Sequence, residues 1–387
     1  MSDVRRGRKY RRGRKTAWTW WVIAAALVTV VLFVALANGG LGRGKSRNEL
    51  PAGNAADLPL TLSAWIVDWQ WEAGVADLEA VASGLNGGVQ AFAAYFGADA
   101  SLYYTNEDQK AWPEVLAAAK RAVNGRTLLT VVNDRYETDG SSGEQKDPAL
   151  ITELMASESS RGKHMSELLE AVAAKGFDGL ELDYERVPNG AWETYGRFIG
   201  DLYGRLHAEG KTLRVVLESR APLEKLNLPA GPDYVMMAYN LYGGFSGPGP
   251  KADAAFISQL AARMESLPGD NAIALSLGGF DWTADKQAVS VTEVQAAELA
   301  KGGSAEPASR DDASGSLHFR YTDGAGITHT VWYADAETLK RWIGAARSAG
   351  VHDIALWRLG GLSEEMREWV KGLRNSSIEA AKASTPP

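Results

Sequence analysis

Residues 177–186 read FDGLELDYER, and from Glu181 onward every second residue of this run is acidic up to Glu185. Side chains alternate between the two faces of a β-strand, so Glu181, Asp183 and Glu185 are expected on one face, about 7 Å from one to the next. Repulsion between carboxylates and partial burial both raise a carboxyl pKa, so such a group can keep its proton near neutral pH. The run therefore predicts a strand whose last acid, Glu185, can donate a proton. A polar strand face that simply meets water is the alternative.

Short apolar runs of the same kind lie on both sides of this strand, with amphipathic segments between them. Together they make eight strand candidates: Ser63–Trp69, Val89–Phe96, Thr127–Asn133, Gly179–Glu185, Leu213–Glu218, Tyr234–Tyr239, Ala272–Gly278 and Asp353–Trp357. Eight βα units over roughly 310 residues predict an α/β fold, a (β/α)8 TIM barrel, with Glu185 at its C-terminal rim. An open doubly wound sheet is the alternative, but its glycine-rich phosphate turn is missing after the first strand.

The predicted barrel carries an insertion between strands 7 and 8, at residues 283–335. Within it, LHFRY (317–321) and ITHTVWY (327–333) flank TDGAG and predict a β-hairpin that turns at Asp323-Gly324. An insertion at this position emerges on the face of a barrel where active sites lie. It is expected to form either one wall of a cleft or a loop without a role in the site.

The composition excludes several kinds of site. The 387 residues include no cysteine, which excludes disulfides, thiolate metal sites and a cysteine nucleophile. The five histidines form no close pair, so no metal site and no cofactor are expected. The first 15 residues carry a net charge of +7 within a total of −7, which leaves −14 on the remainder. A body this acidic is unsuited to binding nucleic acid.

Residues 17–37 (AWTWWVIAAALVTVVLFVALA) form an apolar segment interrupted only by two threonines. As a helix they would extend about 31 Å, close to the ~30 Å hydrocarbon core of a bilayer. The basic head, residues 1–16, predicts a cytoplasmic N-terminus, so we interpret the segment as a single-pass transmembrane anchor in the cell membrane with the rest of the chain extracytoplasmic. A cleaved signal peptide ending at Ala35-Leu36-Ala37, with a secreted product, is the alternative.

The remaining boundaries follow from composition. Residues 38–59 are rich in Gly, Asn and charged residues and predict a flexible linker. Residues 60–375 make up the predicted barrel, and residues 376–387 are expected to form a disordered tail.

Three stretches together resemble one protein family. DGLELDYE (178–185) resembles the D-G-x-D-x-D-x-E signature of glycoside hydrolase family 18, the chitinase-like glycosidases, while MMAYN (236–240) and ALWRLGG (355–361) resemble its motifs on strands 6 and 8. The run 331–361 is most similar to the spore-cortex-lytic branch, whose members cut bacterial wall glycans. The resemblance covers about residues 60–373. It is broken at Glu181 and Asn240, where the family has Asp.

This resemblance implies a retaining glycosidase in which the 2-acetamido carbonyl of the substrate is the nucleophile. It makes Glu185 the general acid and later the base. It makes Asp183 the residue that orients the acetamido N–H and stabilises the oxazolinium intermediate. Glu181 occupies the family's middle acidic position, Tyr239 holds the acetamido oxygen, and Trp357 forms the apolar floor beneath the sugar.

Residues near other strand ends are candidates for contacting a glycan. Trp65 in the first strand and Tyr95 near the end of the second offer rings for stacking on sugar faces, and ordinary packing is the alternative. Asn133 ends the third strand, where its amide either binds a sugar hydroxyl or caps the following helix. Asn240 keeps the hydrogen bonding of the family's Asp without its charge.

The expected function is extracytoplasmic hydrolysis of glycans that contain N-acetylglucosamine, and the expected partner is a peptidoglycan or chitin-type oligosaccharide. The sequence does not decide between these two substrates. A non-catalytic, lectin-like glycan-binding protein on the same fold is one alternative. A glycosidase that uses a second enzyme carboxylate as its nucleophile is another.

Overall fold

The computed structural model describes residues 59–383 except 124, 138, 142, 270 and 286, with side chains described up to residue 373. The basic head, the apolar segment 17–37 and nearly all of the predicted linker lie outside these residues. Within the described ranges, no helix has both the length and the apolar character needed to cross a bilayer.

This part of the chain contains fourteen strands and nine α-helices. The strands are β1 (Thr61–Val67), β2 (Gly88–Phe96), β3 (Leu102–Tyr103), β4 (Thr127–Arg135), β5 (Gly179–Asp183), β6 (Thr212–Leu217), β7 (Asp233–Met237), β8 (Ala272–Ser276), β9 (Gly278–Thr283), β10 (Ala288–Val291), β11 (Ser309–Arg310), β12 (Leu317–Thr322), β13 (Thr328–Ala334) and β14 (Asp353–Trp357). The helices are α1 (Trp71–Val81), α2 (Asn106–Ala122), α3 (Pro148–Met155), α4 (Glu158–Lys175), α5 (Trp192–Ala208), α6 (Ala254–Met264), α7 (Glu293–Ala300), α8 (Ala336–Ser348) and α9 (Glu364–Ala383).

Eight of the strands form a closed parallel barrel in the order β1-β2-β4-β5-β6-β7-β8-β14. Strand β1 pairs with both β2 and β14, which completes the ring. A continuous apolar layer lies between this barrel and the helices around it. The predicted (β/α)8 barrel is confirmed, and each of the eight predicted runs overlaps one barrel strand.

Strand β5 shows how side-chain alternation builds the site. Leu180 and Leu182 are fully buried in the apolar layer outside the barrel. Glu181 points inward instead, where it reaches side chains of β1, β4 and β6. Gly179 allows β6 to come close, because a Cβ there would lie 2.3 Å from the carbonyl oxygen of Thr212. The acidic face of the strand is therefore internal and leads up to the rim.

The insertion folds as a second, antiparallel sheet in the order β10-β9-β13-β12-β11. The predicted hairpin is confirmed: β12 and β13 pair along their length, and at their turn the Asp323 N–H donates to the Ile327 carbonyl. Phe319 and Val331 form a small core of its own with Ala296 of α7. Because β9 begins just after β8 ends, this sheet stands at the C-terminal rim of the barrel.

The C-terminal helix is longer than the sequence predicted. Helix α9 continues to Ala383, whereas residues 376–387 were expected to be disordered. The segment IEAAKA (378–383) consists mainly of strong helix formers, which accounts for the difference.

Candidate active site

A pocket of about 310 Å³ opens at the C-terminal ends of the barrel strands. Its walls combine residues from distant parts of the chain: Trp69, Phe92, Tyr95, Asp134, Tyr136, Gln145, Lys146, Asp183, Glu185, Met237, Tyr239, Asn240 and Trp357. Six of the nine site residues predicted from the sequence are among them. The other three, Glu181, Trp65 and Asn133, lie behind the pocket wall.

Glu185 lies at the rim, just beyond the end of β5, with its side chain 19% exposed. Asn133 holds its backbone on both sides, since Asn133 Oδ1 accepts from the Glu185 N–H at 2.9 Å and Nδ2 donates to the Glu185 carbonyl at 3.0 Å. The chain then turns at Arg186, whose φ is 54° and whose N–H donates to Glu218 Oε2 at 2.6 Å. The backbone that carries Glu185 is thus fixed on both flanks.

The hydrogen bonds to Glu185 determine the role of Asn133. The sequence suggested a sugar contact or a helix cap, but the side chain is fully buried and its amide is committed to backbone groups. Asn133 therefore positions Glu185 and does not itself face the pocket.

Asp183, the last residue of β5, lines the pocket and is buried. Burial raises the pKa of Asp183 well above its ordinary range; Lys146 opposes the rise, and the negative charges of Glu185 and Glu181 add to it. Burial therefore favours the protonated form of this carboxyl group. Its Oδ1 has no hydrogen-bond partner among the described residues. Since buried polar atoms are normally paired, this oxygen is free to accept a hydrogen bond from a ligand.

Glu181 lies deeper in the barrel and is fully buried. It accepts hydrogen bonds from Trp65 Nε1 at 2.6 Å and from Thr130 Oγ1 at 2.8 Å, and it forms an ion pair with Arg214. The predicted catalytic acid is thus one half of a buried ion pair, set back from the pocket. From there its charge still acts on Asp183.

Aromatic rings build one side of the pocket. Trp357, at the end of β14, meets Trp65 and Phe92 edge to face, with ring centroids 5.7 Å and 4.9 Å away. Trp65 is only 2% exposed, so it supports Trp357 and offers no face to a ligand, which is the packing role given as the alternative to sugar stacking. Trp69, which the sequence analysis did not select, lines the pocket and is 55% exposed.

Tyr239, Asn240 and Tyr95 line the pocket as the sequence predicted. Burial raises the pKa of Tyr239 well above its ordinary value, and the charges of Asp183 and Glu185 add to the rise, so its hydroxyl stays protonated and can donate. The hydroxyl of Tyr95 already donates to Asp68 Oδ1 at 2.9 Å, which leaves its ring as the part available to a ligand.

Lys146 is the main pocket residue that the sequence analysis missed. Its Nζ lies 3.1 Å from Glu185 Oε1 and 3.6 Å from Asp134 Oδ1. Burial alone would lower the pKa of Lys146, but the charges of Glu185, Asp183 and Asp134 outweigh burial and raise it. The ammonium group is therefore charged and forms an ion pair with Glu185. The one signal for it was its position in a loop after a barrel strand, where active-site residues concentrate.

The pocket thus offers a carboxyl group at the rim, a buried acid with a free oxygen, a phenol that can donate, and an aromatic wall. These groups fit a ligand with an apolar ring face, an amide and an oxygen to be protonated. Among the residues whose side chains are described, no group of three His, Asp or Glu residues is placed to hold a metal ion.

Comparison with known proteins agrees with this geometry, although no family model matches the chain. A cortical fragment-lytic enzyme of Bacillus cereus is 24% identical over 289 residues, which cover 70% of this chain and 64% of that protein. The crystal structure of the Bacillus cereus spore cortex-lytic enzyme SleL matches with a TM-score of 0.66 at 19% identity, covering 81% of this chain and 74% of that one. A GH18 chitinase from Cycas revoluta in complex with (GlcNAc)3 matches with a TM-score of 0.63 at 15% identity, covering 82% and 99%.

The chain is similar to cortex-lytic enzymes and to chitinases of the glycoside hydrolase family 18 type. The resemblance seen in residues 178–185, including its cortex-lytic branch, is confirmed. The chain spans 53% and 64% of the length of the first curated relatives it matches. The likeness to the solved structures, at these identities, shows the barrel fold.

Proposed function

We propose that this chain is a retaining glycoside hydrolase that cleaves glycans containing N-acetylglucosamine, of the peptidoglycan type, by substrate assistance. The observation that carries the proposal is the convergence of Glu185, Asp183 and Tyr239 on one pocket beside Trp357. A proton donor, an acceptor for an amide, a hydroxyl donor and an apolar face suit an N-acetylated sugar at the bond to be cut. Similarity to a cortical fragment-lytic enzyme supports a wall glycan as the substrate.

In the first step, Glu185 gives its proton to the glycosidic oxygen as the bond from that oxygen to C1 breaks. The acetamido carbonyl oxygen of the same sugar bonds to C1 and forms the oxazolinium ion. Asp183 accepts a hydrogen bond from the acetamido N–H through its unpaired oxygen, and Tyr239 donates to the acetamido oxygen. In the second step, Glu185 takes a proton from water as that water attacks C1, the bond from C1 to the acetamido oxygen breaks, and the acetamide and the original anomer are restored.

The charges in the structure suggest where the first proton is held. Lys146 forms an ion pair with Glu185, while burial favours the protonated form of Asp183. An acetamido N–H that bonds to Asp183 favours its ionised form, because a carboxylate is the stronger acceptor. Substrate binding therefore shifts the proton of the carboxyl pair toward Glu185, where the first step needs it.

The cellular arrangement belongs to the same proposal. Residues 1–16 and 17–37 would hold the chain in the cell membrane with the barrel outside, where wall glycans are. The segment 38–59 would act as a flexible linker that lets the barrel extend from the membrane to the wall glycans. Cleavage after Ala37 would release a secreted form of the same enzyme.

Digestion of defined glycans tests the proposal. The full-length chain, purified in detergent because of its apolar segment, is expected to cut peptidoglycan strands freed of their peptides, and the first product is expected to keep the β-anomer. Mass spectrometry of the products and NMR of fresh digests measure both. Binding without cleavage would support the lectin-like alternative. Equal cleavage of analogues that lack the 2-acetamido group would support an enzyme carboxylate as nucleophile.

Lys146→Met is expected to move the alkaline limb of the pH profile of kcat/KM upward by about one pH unit, since a nearby opposite charge typically shifts a carboxyl pKa by ~1–3 units. The ammonium group of Lys146 lowers the pKa of the buried Asp183, so without it Asp183 keeps its proton to higher pH. The proton needed for the first step then persists to higher pH. Lys146→Arg, which retains the charge, serves as the control. An unmoved limb in Lys146→Met would show that Lys146 does not govern protonation of Asp183.

A further inference from the structure

A second, smaller pocket adjoins the first and shares Trp357 with it. It lies where the rim of β8 and β14 meets the inserted sheet, and its free volume is about 40 Å³. Two cationic side chains line it, Lys251 and Arg358. A space of this size holds a small polar group, since one water molecule occupies ~30 Å³ in the liquid.

Lys251 is only 8% exposed, yet it has no carboxylate within ion-pair distance among the described side chains. Its Nζ donates to Ser276 Oγ at 2.8 Å, reaches the Leu277 carbonyl at 3.5 Å and lies 4.7 Å from the centroid of the Phe280 ring. An ammonium group has three N–H donors, so one remains for a ligand. Burial of an unpaired ammonium group is costly, so a buried ammonium without an acidic partner is a candidate for binding an anion.

Arg358 is the second cation and directly follows Trp357. Its Nη1 donates to Gln70 Oε1 at 2.6 Å, and its guanidinium lies 5.5 Å from the centroid of Trp69. Within the described part of the chain, this guanidinium likewise has no acidic side chain at ion-pair distance. Most of its five donors are thus available at the boundary between the two pockets.

The two cations act on each other. Burial and, to a smaller extent, the positive charge of Arg358 together lower the pKa of Lys251 to about 7. A bound anion would oppose both effects, so the site gains most from a negatively charged ligand.

One acid also lines this pocket, but it is engaged elsewhere. Glu293 Oε1 accepts from Ser363 Oγ at 2.7 Å, and Oε2 accepts from the Ser363 N–H at 3.1 Å. Its two oxygens thus fix the start of α9, and among the described ion pairs none joins Glu293 to Lys251.

We propose that Lys251 and Arg358 form a carboxylate-binding subsite that recognises an acidic substituent on the glycan, next to the sugar held at Trp357. The carboxylate is that of the lactyl ether on muramic acid units freed of their stem peptide, a group that chitin lacks. The inference rests on the proposed function and decides between the two substrates that the sequence left open. A planar carboxylate matches the fork of Arg358, and the remaining N–H of Lys251 supplies a further contact.

Binding to a turnover-deficient protein tests this without depending on catalysis. In full-length Glu185→Gln, isothermal titration compares a peptide-free tetrasaccharide of alternating N-acetylglucosamine and N-acetylmuramic acid with its methyl ester. The acid is expected to bind about ten-fold more tightly than the ester. In Glu185→Gln/Lys251→Met and in Glu185→Gln/Arg358→Gln the ratio is expected to fall toward one. The exposed Lys340, which lies on α8 beside Glu337, provides the matched control: Lys340→Met removes one positive charge and keeps the ten-fold ratio.

The outcomes separate the two proposals. Equal binding of acid and ester, with both bound, overturns the carboxylate subsite and leaves the proposed function standing. A ten-fold ratio that survives both cation substitutions also overturns it. Absence of binding by the acid, the ester and chitotetraose argues against the proposed function itself. Arg358 is less buried than Lys251, so Arg358→Gln decides the matter if circular dichroism shows that the Lys251 variant does not fold.

Discussion

Glu185→Gln is expected to lower kcat on peptide-free peptidoglycan strands by about 10³-fold, within the ~10²–10⁴ range that general acid–base catalysis contributes. The amide is nearly isosteric with the carboxyl group but can neither give up a proton to the glycosidic oxygen nor take one from water. Asn133 and Glu218 hold the backbone at this point, so the substitution leaves the geometry of the rim in place. The binding constant for the substrate is therefore expected to change little.

An activated substrate separates loss of acid catalysis from general damage. An aryl glycoside of N-acetylglucosamine has a leaving group that departs without protonation, so Glu185→Gln should lose far less rate in the first step on it than on a glycan. Quenched-flow measurement of aryl release gives this first step directly. Glu193→Gln, an acid on the exposed face of α5, is the matched control and should behave like the parent chain. Undiminished glycan hydrolysis by Glu185→Gln would remove Glu185 from the mechanism.

The barrel could be predicted because its signals are local. Each strand is a short apolar run, and the acidic alternation of residues 177–186 sets which face of β5 is internal. The hairpin of the insertion was equally local, since Asp323-Gly324 marks its turn. Helix α1 has a weaker local signal, because it contains Gly74, a residue of low helix propensity. Gly74 is required there by packing, as a Cβ would lie 2.6 Å from Ile66 Cγ2.

The pocket itself was only partly predictable, because several of its features depend on contacts between distant segments. Nothing near Lys146 in the sequence indicates that its loop folds over the end of β5 to meet Glu185. The hydrogen bond from Trp65 to Glu181 likewise joins two residues that are 116 positions apart in the sequence. The pairing of Glu181 with Arg214 was easier to predict from the sequence, since the two residues lie directly opposite each other in the β5–β6 register. Arg214 stands in an otherwise apolar strand, and such an inward-facing arginine indicates a buried acidic partner.

Arg214→Met is expected to lower the free energy of unfolding by about 3–5 kcal/mol, the range for removing one partner of a buried ion pair. Glu181 is fully buried, and without Arg214 its charge would keep only the hydrogen bonds from Trp65 and Thr130. Methionine fills much of the space of the arginine stem, so loss of volume is not the main cause. Urea unfolding followed by tryptophan fluorescence measures the change. Arg197→Met, which breaks an ion pair whose side chains are 67% and 84% exposed, should cost about 0.5 kcal/mol or less.

The double variant Arg214→Met/Glu181→Leu shows whether the ion pair stabilises the fold or serves the chemistry. Replacing both charges with apolar groups removes the uncompensated carboxylate, so most of the lost stability should return. The same change removes a negative charge that raises the pKa of Asp183. If Glu181 tunes the site through that charge, the refolded double variant will hydrolyse glycans with a pH profile displaced to lower pH on its alkaline side. A single variant Arg214→Met as stable as Arg197→Met would contradict the burial argument. A double variant with the parent's pH profile would reduce Glu181 to a packing role.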